Sequence, residues 1–289
     1  MRRALLAVLL FVGLGAVAPT PGRTAIAVHR VDEARFSPTP DKPVFVLVMG
    51  QDARPGETQS RGDALHLIGI NAAAGRATIL NIPRDTWTDI PGRGLDKINA
   101  GHYYGGPVLE AKAVSELVGV DVPIVLTTGF QGLTDMVDEL GGVDVNVPQA
   151  MNDKNSGAVF PAGKFHMDGG AALSFSRNRG LPGGDLTRTQ DQGILILAGL
   201  SKLRGADPTA ANTLKWMATL ARHTSLDGIG LADLYRLGRL ALSVDPANVR
   251  NVTMPGTTGS AANQSVVFVG AAAPALFADF RDDAILQRS

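Results

Sequence analysis

Three short apolar runs separated by charged loops dominate the pattern between Val44 and Trp87. Val44–Met49 is unbroken, which predicts a strand buried on both faces. Ala64–Asn71 and Arg76–Ile82 follow as second and third strands. The short Ala-Ala-Gly turn at Gly75 makes them antiparallel neighbours. With the first strand running up, the second down and the third up, one sheet edge collects Asp52 and Arg54, Arg61 and Asp63, and Arg84 and Asp85. Three Arg–Asp pairs are therefore expected on one rim.

Further along, strand and helix periods alternate. Thr88–Gly106 reads as loop, with Lys97 and Asn99 facing the same way if the chain there is extended. Apolar residues at helical spacing predict helices over Pro107–Val118 and Phe130–Leu140, the second stopped by Gly141-Gly142. Val122–Thr128 and Val143–Val147 read as strands, Gln149–Met167 as a long loop, and Asp168 as the N-cap of a short helix to Phe175. Arg177 and Arg179 are spaced to point to one side of an extended segment, and Gly180–Gly184 turns the chain. Asp185 and Arg188 then open a helix to Leu203, on which Arg188 and Gln192 are i, i+4 neighbours. Helices over Ala210–Arg222 and Leu231–Leu242 read as core and Val249–Thr253 as a last strand, while the tail after Gly256 is apolar without an assignable pattern. Strands alternating with helices imply an α/β sandwich.

The N-terminus changes the picture of where such a domain works. Met1-Arg2-Arg3, the apolar run Ala4–Ala18 and then Pro19, Pro21 and Gly22 have the layout of a signal peptide, with Ala25-Ile26-Ala27 a candidate cleavage site. The run is shorter than the about 20 apolar residues of a spanning helix. A short uncleaved membrane anchor with Arg2 and Arg3 inside is the alternative. Residues 1–27 are accordingly assigned as signal peptide or short anchor, 28–43 as a Pro-containing linker off the membrane surface, and 44–289 as the catalytic domain. The expected location is extracytoplasmic, at the outer face of the cytoplasmic membrane or in the cell wall.

Composition mainly excludes. The 27 basic and 27 acidic side chains balance, so no electrostatic footprint points to nucleic acid as a partner. There is no cysteine, hence no disulfide, thiolate nucleophile or cysteine metal site. G-x-S-x-G, H-E-x-x-H and the phosphate-binding P-loop are absent, and the five histidines are scattered and read as structural.

The unusual charges are Arg54, Arg61, Arg84, Arg177, Arg179, Arg188 and Lys97 against Asp52, Asp63, Asp85 and Asp185. Guanidinium groups stay protonated and fork onto phosphate oxygens, so several aimed at one place imply a polyanion; a diphosphate fits better than one carboxylate. Aspartates among those arginines suggest a hard cation, Mg²⁺ or Mn²⁺, bridging the same phosphates. Isolated surface Arg–Asp pairs would contribute little, but convergence on one rim favours a site.

The ordered set Gly50–Arg54 (GQDAR), Arg61–Asp63 (RGD), Ile82–Thr86 (IPRDT), Asp96–Ala100 (DKINA), Glu139–Val145 (ELGGVDV), Arg177–Arg179 (RNR) and Asp185–Arg188 (DLTR) resembles the LytR–CpsA–Psr family from about Val44 to Gly256. The resemblance implies a three-layer α–β–α sandwich with a mixed central sheet and a hydrophobic pocket for a lipid tail. It also implies an extracytoplasmic phosphotransferase that moves a glycan polymer from a polyprenyl (pyro)phosphate carrier to a peptidoglycan acceptor. Transferred by position, Asp52 and Asp63 hold Mg²⁺, and Arg61, Arg84, Arg177, Arg179 and Arg188 hold the diphosphate with Gln192 beside them. Together with the rim reading, the expected site is Asp63, Arg84 and Asp85 at the reacting phosphorus. Arg54, Arg61, Arg84, Lys97, Asn99, Arg177, Arg179, Asp185, Arg188 and Gln192 are expected around the phosphates. Asp63 is the candidate base, since arginine cannot take a proton, and Asp85 is expected to orient an arginine. One departure is Asp191-Gln192-Gly193 where the family often shows R-Q-Q, an acid in place of a cation. The alternatives are a polyprenyl pyrophosphatase and a non-catalytic lipid-phosphate or wall-glycan binding protein. The helices Val108–Val118 and Phe130–Leu140 are expected to border a lipid tunnel opening near Asp52.

Overall fold

The computed structural model describes residues 26–31, 39, 42–51, 62–205 and 224–287. The strands are β1 (Ile26–Arg30), β2 (Val44–Gln51), β3 (Gly62–Asn71), β4 (Arg76–Ile82), β5 (Trp87–Ile90), β6 (Gly94–Lys97), β7 (Ile124–Gly129), β8 (Val143–Val147), β9 (Met151–Asp153), β10 (Ala158–Phe160), β11 (Gly163–Met167), β12 (Thr224–Asp227), β13 (Val249–Thr253), β14 (Gly256–Ala261) and β15 (Gln264–Val269). The helices are α1 (Ala100–Val118), α2 (Phe130–Glu139), α3 (Gly169–Ser176), α4 (Asp185–Gly205), α5 (Leu231–Leu242) and α6 (Ala273–Asp283).

Seven strands form one sheet in the order β12-β1-β7-β2-β3-β4-β13. The β2–β3–β4 meander has the antiparallel directions that its short turn requires, with Leu47 opposite Leu67 and Leu67 opposite Leu80. β7 runs parallel to β2 and β13 parallel to β4, so the sheet is mixed. Because side chains alternate along a strand, β2 sends Phe45, Leu47 and Met49 to one face and Val44 and Val46 to the other. The first face packs with Ala111, Val114 and Val118 of α1 and Phe277 and Phe280 of α6. The second packs with Leu237 and Leu240 of α5, and α4 also lies on it. The result is a three-layer α–β–α sandwich. Leu47, Leu65, Leu67 and Leu80 are fully buried at its centre, and each such side chain contributes about 1.5–3 kcal/mol. A second cluster joins α2, β8, α3 and the middle of α4 around Val145, Phe175 and Leu195 and carries the arginine segment that follows α3.

Several segments differ from the sequence reading. Residues assigned to the linker, together with the candidate cleavage site, include β1, which pairs with β7 on one side and β12 on the other. A cut after Ala27 would take two of its five residues out of the sheet. The period is too short to see in sequence; pairing on both edges is what makes the strand. Thr88–Gly106 is not loop: β5 and β6 form a hairpin and α1 already starts at Ala100. The helix breaks at Gly105 and Gly106, whose φ of 71° at Gly106 suits glycine, and Pro107 starts its second half. Gln149–Met167 contains the β9–β10 hairpin and β11, which pairs with β8. The tail is a β14–β15 hairpin followed by α6, which lies so close to β3 that a Cβ on Gly69 would meet Phe280 at 2.8 Å. The expected leader or anchor and the helix at Ala210–Arg222 lie outside the described residues. Among those described, no helix is long and apolar enough to cross a membrane.

Candidate active site

Asp63 is the second residue of β3, and Arg84 and Asp85 follow Pro83 at the end of β4. Since these strands are antiparallel, with Leu65 opposite Ile82, the start of one adjoins the end of the other. Arg84 Nη1 donates to Asp63 Oδ1. Its Nε lies 4.0 Å from Asp85 Oδ2 and 3.9 Å from Asp185 Oδ2. Asp85 also holds Lys97 Nζ at 3.0 Å, so its closest cation is the lysine rather than an arginine. Arg188, in the first turn of α4, reaches Asp185 Oδ1 at 2.7 Å and donates to the Asp63 backbone carbonyl at 3.1 Å. Arg179 Nε stands 3.8 Å from Asp185 Oδ1. One Arg–Asp network thus ties two strands to α4.

Charge in this network is finely opposed. Burial works against the Arg84 cation, but the carboxylates of Asp63, Asp185 and Asp85 outweigh it and push its pKa above the ordinary arginine value. Burial lowers Arg188 to about 10, partly offset by Asp185, which leaves it cationic at neutral pH. The Nε groups of Arg84 and Arg188, Asp185 Oδ2 and Gln192 Oε1 are buried without a hydrogen-bond partner. Such orphaned polar atoms cost free energy unless something completes them.

Beside the network opens a cavity of about 520 Å³. Val48, Ala64 and His66 of the sheet line it, facing Phe130 and Leu133 of α2 and Arg188, Gln192 and Leu195 of α4. Asp63, Arg177 and Arg179 also line it, as do Asp153, Asn155 and Ser156. The Arg177 guanidinium lies over the Phe130 ring, 4.9 Å from its centroid, a cation–π contact that fixes its direction. Asn178 between the two arginines is buried and both arginines line the cavity, but Arg177 is the C-cap of α3 with φ −102° and ψ −2°, so a turn out of the helix rather than an extended segment brings them to one side. Asp153 accepts from the backbone N–H of Arg179 at 3.0 Å and from those of Asn155 and Ser156, which holds its carboxyl below the usual range and clips the β9–β10 turn to the arginine segment. Gln192 Nε2 donates to the Ser176 carbonyl at 2.9 Å.

A second recess of about 160 Å³ continues between the sheet and helices α4 and α5. Every side chain lining it is apolar, Ile68, Ile79, Leu200 and Leu237 among them, and Val48 and Ile196 line both spaces. A charged mouth therefore adjoins a wholly apolar interior.

The expected residues separate into three groups. Asp63, Arg84, Asp85, Lys97, Asp185 and Arg188 form the network, while Asp63, Arg177, Arg179, Arg188 and Gln192 line the cavity. Asn99 does neither: it is buried, and its Nδ2 donates to the Gly62 carbonyl at 3.4 Å. Residues 97–99 are not extended, since Ile98 and Asn99 already turn into α1, which separates Asn99 from Lys97. Asp52, Arg54 and Arg61 lie outside the described residues. Neither helix expected to border the lipid tunnel lines the apolar recess: α2 reaches only the charged cavity, through Phe130 and Leu133, and α1 packs on the opposite face of the sheet, because an apolar stripe does not tell which face a helix covers. Sequence reasoning missed Phe130, Asp153 and His66 as cavity residues. The available signals were Asp153 two and three residues before Asn155 and Ser156, an Asx-turn pattern, and a lone histidine within the apolar strand Ala64–Ile70. Burial holds His66 neutral, lowering its pKa to about 4.

A rim of arginines and aspartates thus adjoins an apolar recess in a mixed α–β–α sandwich. The chain matches the LytR_cpsA_psr family over residues 22–276 and belongs to that family. Among curated relatives it is 37% identical over 186 residues to the polyisoprenyl-teichoic acid–peptidoglycan teichoic acid transferase TagT of Bacillus subtilis (61% of this chain, 56% of the relative). It is 32% identical over 212 residues to the "Probable cell wall biosynthesis protein LcpB" of Corynebacterium glutamicum (68% of this chain, 51% of the relative). The chain thus spans about half the length of the curated relatives it matches. Among solved structures, B. subtilis TagT has the same fold at a TM-score of 0.69 with 24% identity, covering 93% of this chain and 99% of that one. A TagT (YwtF) structure with bound octaprenyl pyrophosphate lipid matches at a TM-score of 0.66 and 25% identity over 93% of this chain and 99% of that one.

Proposed function

We propose that this protein is an exported phosphotransferase that moves a glycan polymer from a polyprenyl (pyro)phosphate carrier onto peptidoglycan. The observation that carries the reading is the adjoining pair of spaces, an arginine-lined mouth and an apolar recess that share Val48 and Ile196. A polyprenyl diphosphate needs both, because its head is doubly anionic and each exposed methylene of its tail costs about 0.8 kcal/mol. Relatives named as teichoic acid–peptidoglycan transferases, and a family structure holding octaprenyl pyrophosphate, support the same substrate class.

Phosphoryl transfer mainly requires positioning and charge neutralisation. Arg177, Arg179 and Arg188 line the cavity that receives the diphosphate, and Gln192, anchored on the Ser176 carbonyl, keeps its buried oxygen beside them. Arg84 sets Asp63 in place, while Lys97 and Asp85 brace the turn after β4. The acceptor sugar hydroxyl attacks the phosphorus that bears the polymer, and polyprenyl phosphate leaves with its tail in the recess. Asp63 is the candidate base, since Arg84 engages only one of its carboxylate oxygens. A divalent cation belongs to the same reading: Arg84 leaves one carboxylate oxygen of Asp63 open as a hard donor. Mg²⁺ takes hard oxygen donors, typically one or two carboxylates plus substrate phosphates, and Asp63 with Asp52 would supply them. Such a cation would supply charge neutralisation at the phosphates.

Organic extraction of the protein purified from its native membrane fraction, followed by mass spectrometry, tests the reading. A polyprenyl phosphate or diphosphate is expected. With a lipid-linked glycan and peptidoglycan added, polymer should appear on the wall fragment. Release of inorganic phosphate without an acceptor would instead indicate a pyrophosphatase, and binding without turnover a carrier protein.

A further inference from the structure

His66 is a polar residue on an otherwise apolar stretch of β3, and it lies on the cavity floor where the charged mouth gives way to the apolar recess. Going inward along β3, Asp63 is at the rim, Ala64 and His66 line the cavity, and Ile68 and Ile70 line the recess. A chain of side-chain amides fixes the state of the ring. The Gln190 backbone carbonyl can only accept, so Asn251 Nδ2, 3.0 Å away, donates to it. Asn251 Oδ1 is then the acceptor for Asn81 Nδ2 at 2.7 Å. That leaves Asn81 Oδ1 toward His66 Nδ1, also at 2.7 Å, so Nδ1 must carry the proton. Packing holds the anchor in place: a Cβ on Gly193 would run into Asn251 Oδ1, so α4 lies directly against this amide.

The Nδ1 edge of the ring is turned to β4, and the Nε2 edge is the one left for the cavity. No other hydrogen bond of His66 exists among the described residues. A neutral imidazole in this tautomer offers a lone pair to a space otherwise arranged for anions, and a lone pair repels a phosphate oxygen. Resting on the functional reading above, we propose that headgroup binding takes up a proton at His66. As the diphosphate enters, Nε2 is protonated from solvent and donates to the phosphate oxygen nearest the recess.

The surroundings give the sign. Arg188 of α4 is the charged group that acts on the ring; Asp63 of β3, Arg177 and Arg179 before α4, and Asp153 line the same cavity, and Asp185 and Arg84 are tied to Arg188 and Asp63 in the network at its rim. β2 contributes only uncharged residues, and β4 and β13 contribute Asn81 and Asn251. In the free protein, burial and Arg188 both disfavour the imidazolium. Two phosphate charges against Nε2 reverse that balance, as anions near a histidine favour its charged form.

The test is calorimetric titration with P1-geranyl P2-methyl diphosphate, whose phosphates do not titrate near neutral pH, in buffers of different ionisation enthalpy. Uptake of about one proton per bound diphosphate is expected near neutral pH, with affinity falling as pH rises. His66→Gln should abolish the uptake and flatten the pH dependence. Should that variant misfold, ring ¹⁵N NMR of the parent protein decides: an Nδ1–H tautomer when free, and a doubly protonated ring with the diphosphate bound. Binding without proton uptake, uptake unchanged in His66→Gln, or a ring that stays neutral in the complex overturns this inference alone. Absence of any diphosphate binding overturns the functional reading and this inference with it.

Discussion

Arg188 reaches from the first turn of α4 to the backbone carbonyl of Asp63, 3.1 Å away, and so ties the helix to the strand that carries the acid. The same side chain holds Asp185 at 2.7 Å. Arg188→Ala should therefore act twice, loosening the rim and removing a phosphate ligand. Removing one partner from a buried charge pair costs about 3–5 kcal/mol; Asp185 keeps some contact with water and with Arg84 and Arg179, so the lower end is expected. Arg188→Lys keeps the charge but not the fork, and should recover stability better than diphosphate affinity. Denaturant midpoints alongside ligand titrations separate the two effects, and equal recovery of both would argue against a forked contact.

On the proposed reading Asp52 and Asp63 hold a cation, so Asp52→Asn and Asp63→Asn should each abolish transfer that depends on added Mg²⁺ while leaving the fold intact. Asp63→Asn also removes the carboxylate beside Arg84, at a site still open to solvent, and should lower stability by no more than about 1 kcal/mol. Transfer assays with and without a chelator, with melting curves in parallel, check this. Turnover unaffected by the chelator would remove the metal assignment.

The readable part of this molecule is the part whose physics is local. β2 to β4 follow from β-branched runs closed by a tight turn, and antiparallel pairing alone brings Arg84 to Asp63. Asp168 caps α3 by accepting from Ala171 N, as the sequence pattern predicts. The unreadable part depends on distant pairing. β1 has only five residues, and what makes it a strand is β7 on one side and β12 on the other. Asn81 and Asn251, which hold His66, are 170 residues apart. The stripe on α1 correctly marks a packed helix, yet nothing in it selects the sheet face away from the cavity.

Arg177, the C-cap of α3, and Arg179, two residues further on, both line the mouth. Charge-assisted bonds to an anion contribute about 1.5–3 kcal/mol each, so either alanine variant should weaken polyprenyl diphosphate binding by roughly ten- to a hundredfold. Arg177→Lys should recover little, because stacking over Phe130 uses the planar guanidinium. Phe130→Leu provides the control: it should weaken binding in the parent protein but add little on top of Arg177→Ala. Additive losses would show that Phe130 acts independently of the arginine.

Asp191, the acid where a cation is common in the family, is buried with Oδ2 unpartnered, and burial raises its pKa from 3.8 to about 6. A raised folded-state pKa means that the folded protein binds more protons than the unfolded chain between these two values. Stability therefore falls as pH rises through that window and stays lower above it. Asp191→Asn keeps the shape and removes the ionisation. It should match the parent near pH 4 and exceed it near pH 7 by up to roughly 3 kcal/mol. Denaturation midpoints across this range give the answer, and a difference that does not change with pH would rule out ionisation of Asp191 as its source.

The position of the recess decides where the lipid tail goes. Helix α1 cannot border it, since Ala111, Val114 and Val118 pack on the opposite sheet face. The apolar space instead lies between β2, β3, β4 and the pair α4 and α5, and Ile196 stands where it meets the mouth. Matched diphosphates of increasing chain length should therefore raise the melting temperature stepwise until the recess is filled. Ala241→Phe on α5 would place a ring in that recess without touching the rim. It should erase the dependence on chain length while leaving the affinity for a short, water-soluble diphosphate within about twofold, a difference of roughly 0.4 kcal/mol. A substitution of the same kind on α1, Val114→Phe, overpacks the fully buried core and destabilises it, but should leave the chain-length response of the folded fraction as it is in the parent. If the parent shows no response to chain length, the tail lies elsewhere and only the arginine mouth remains as the ligand site.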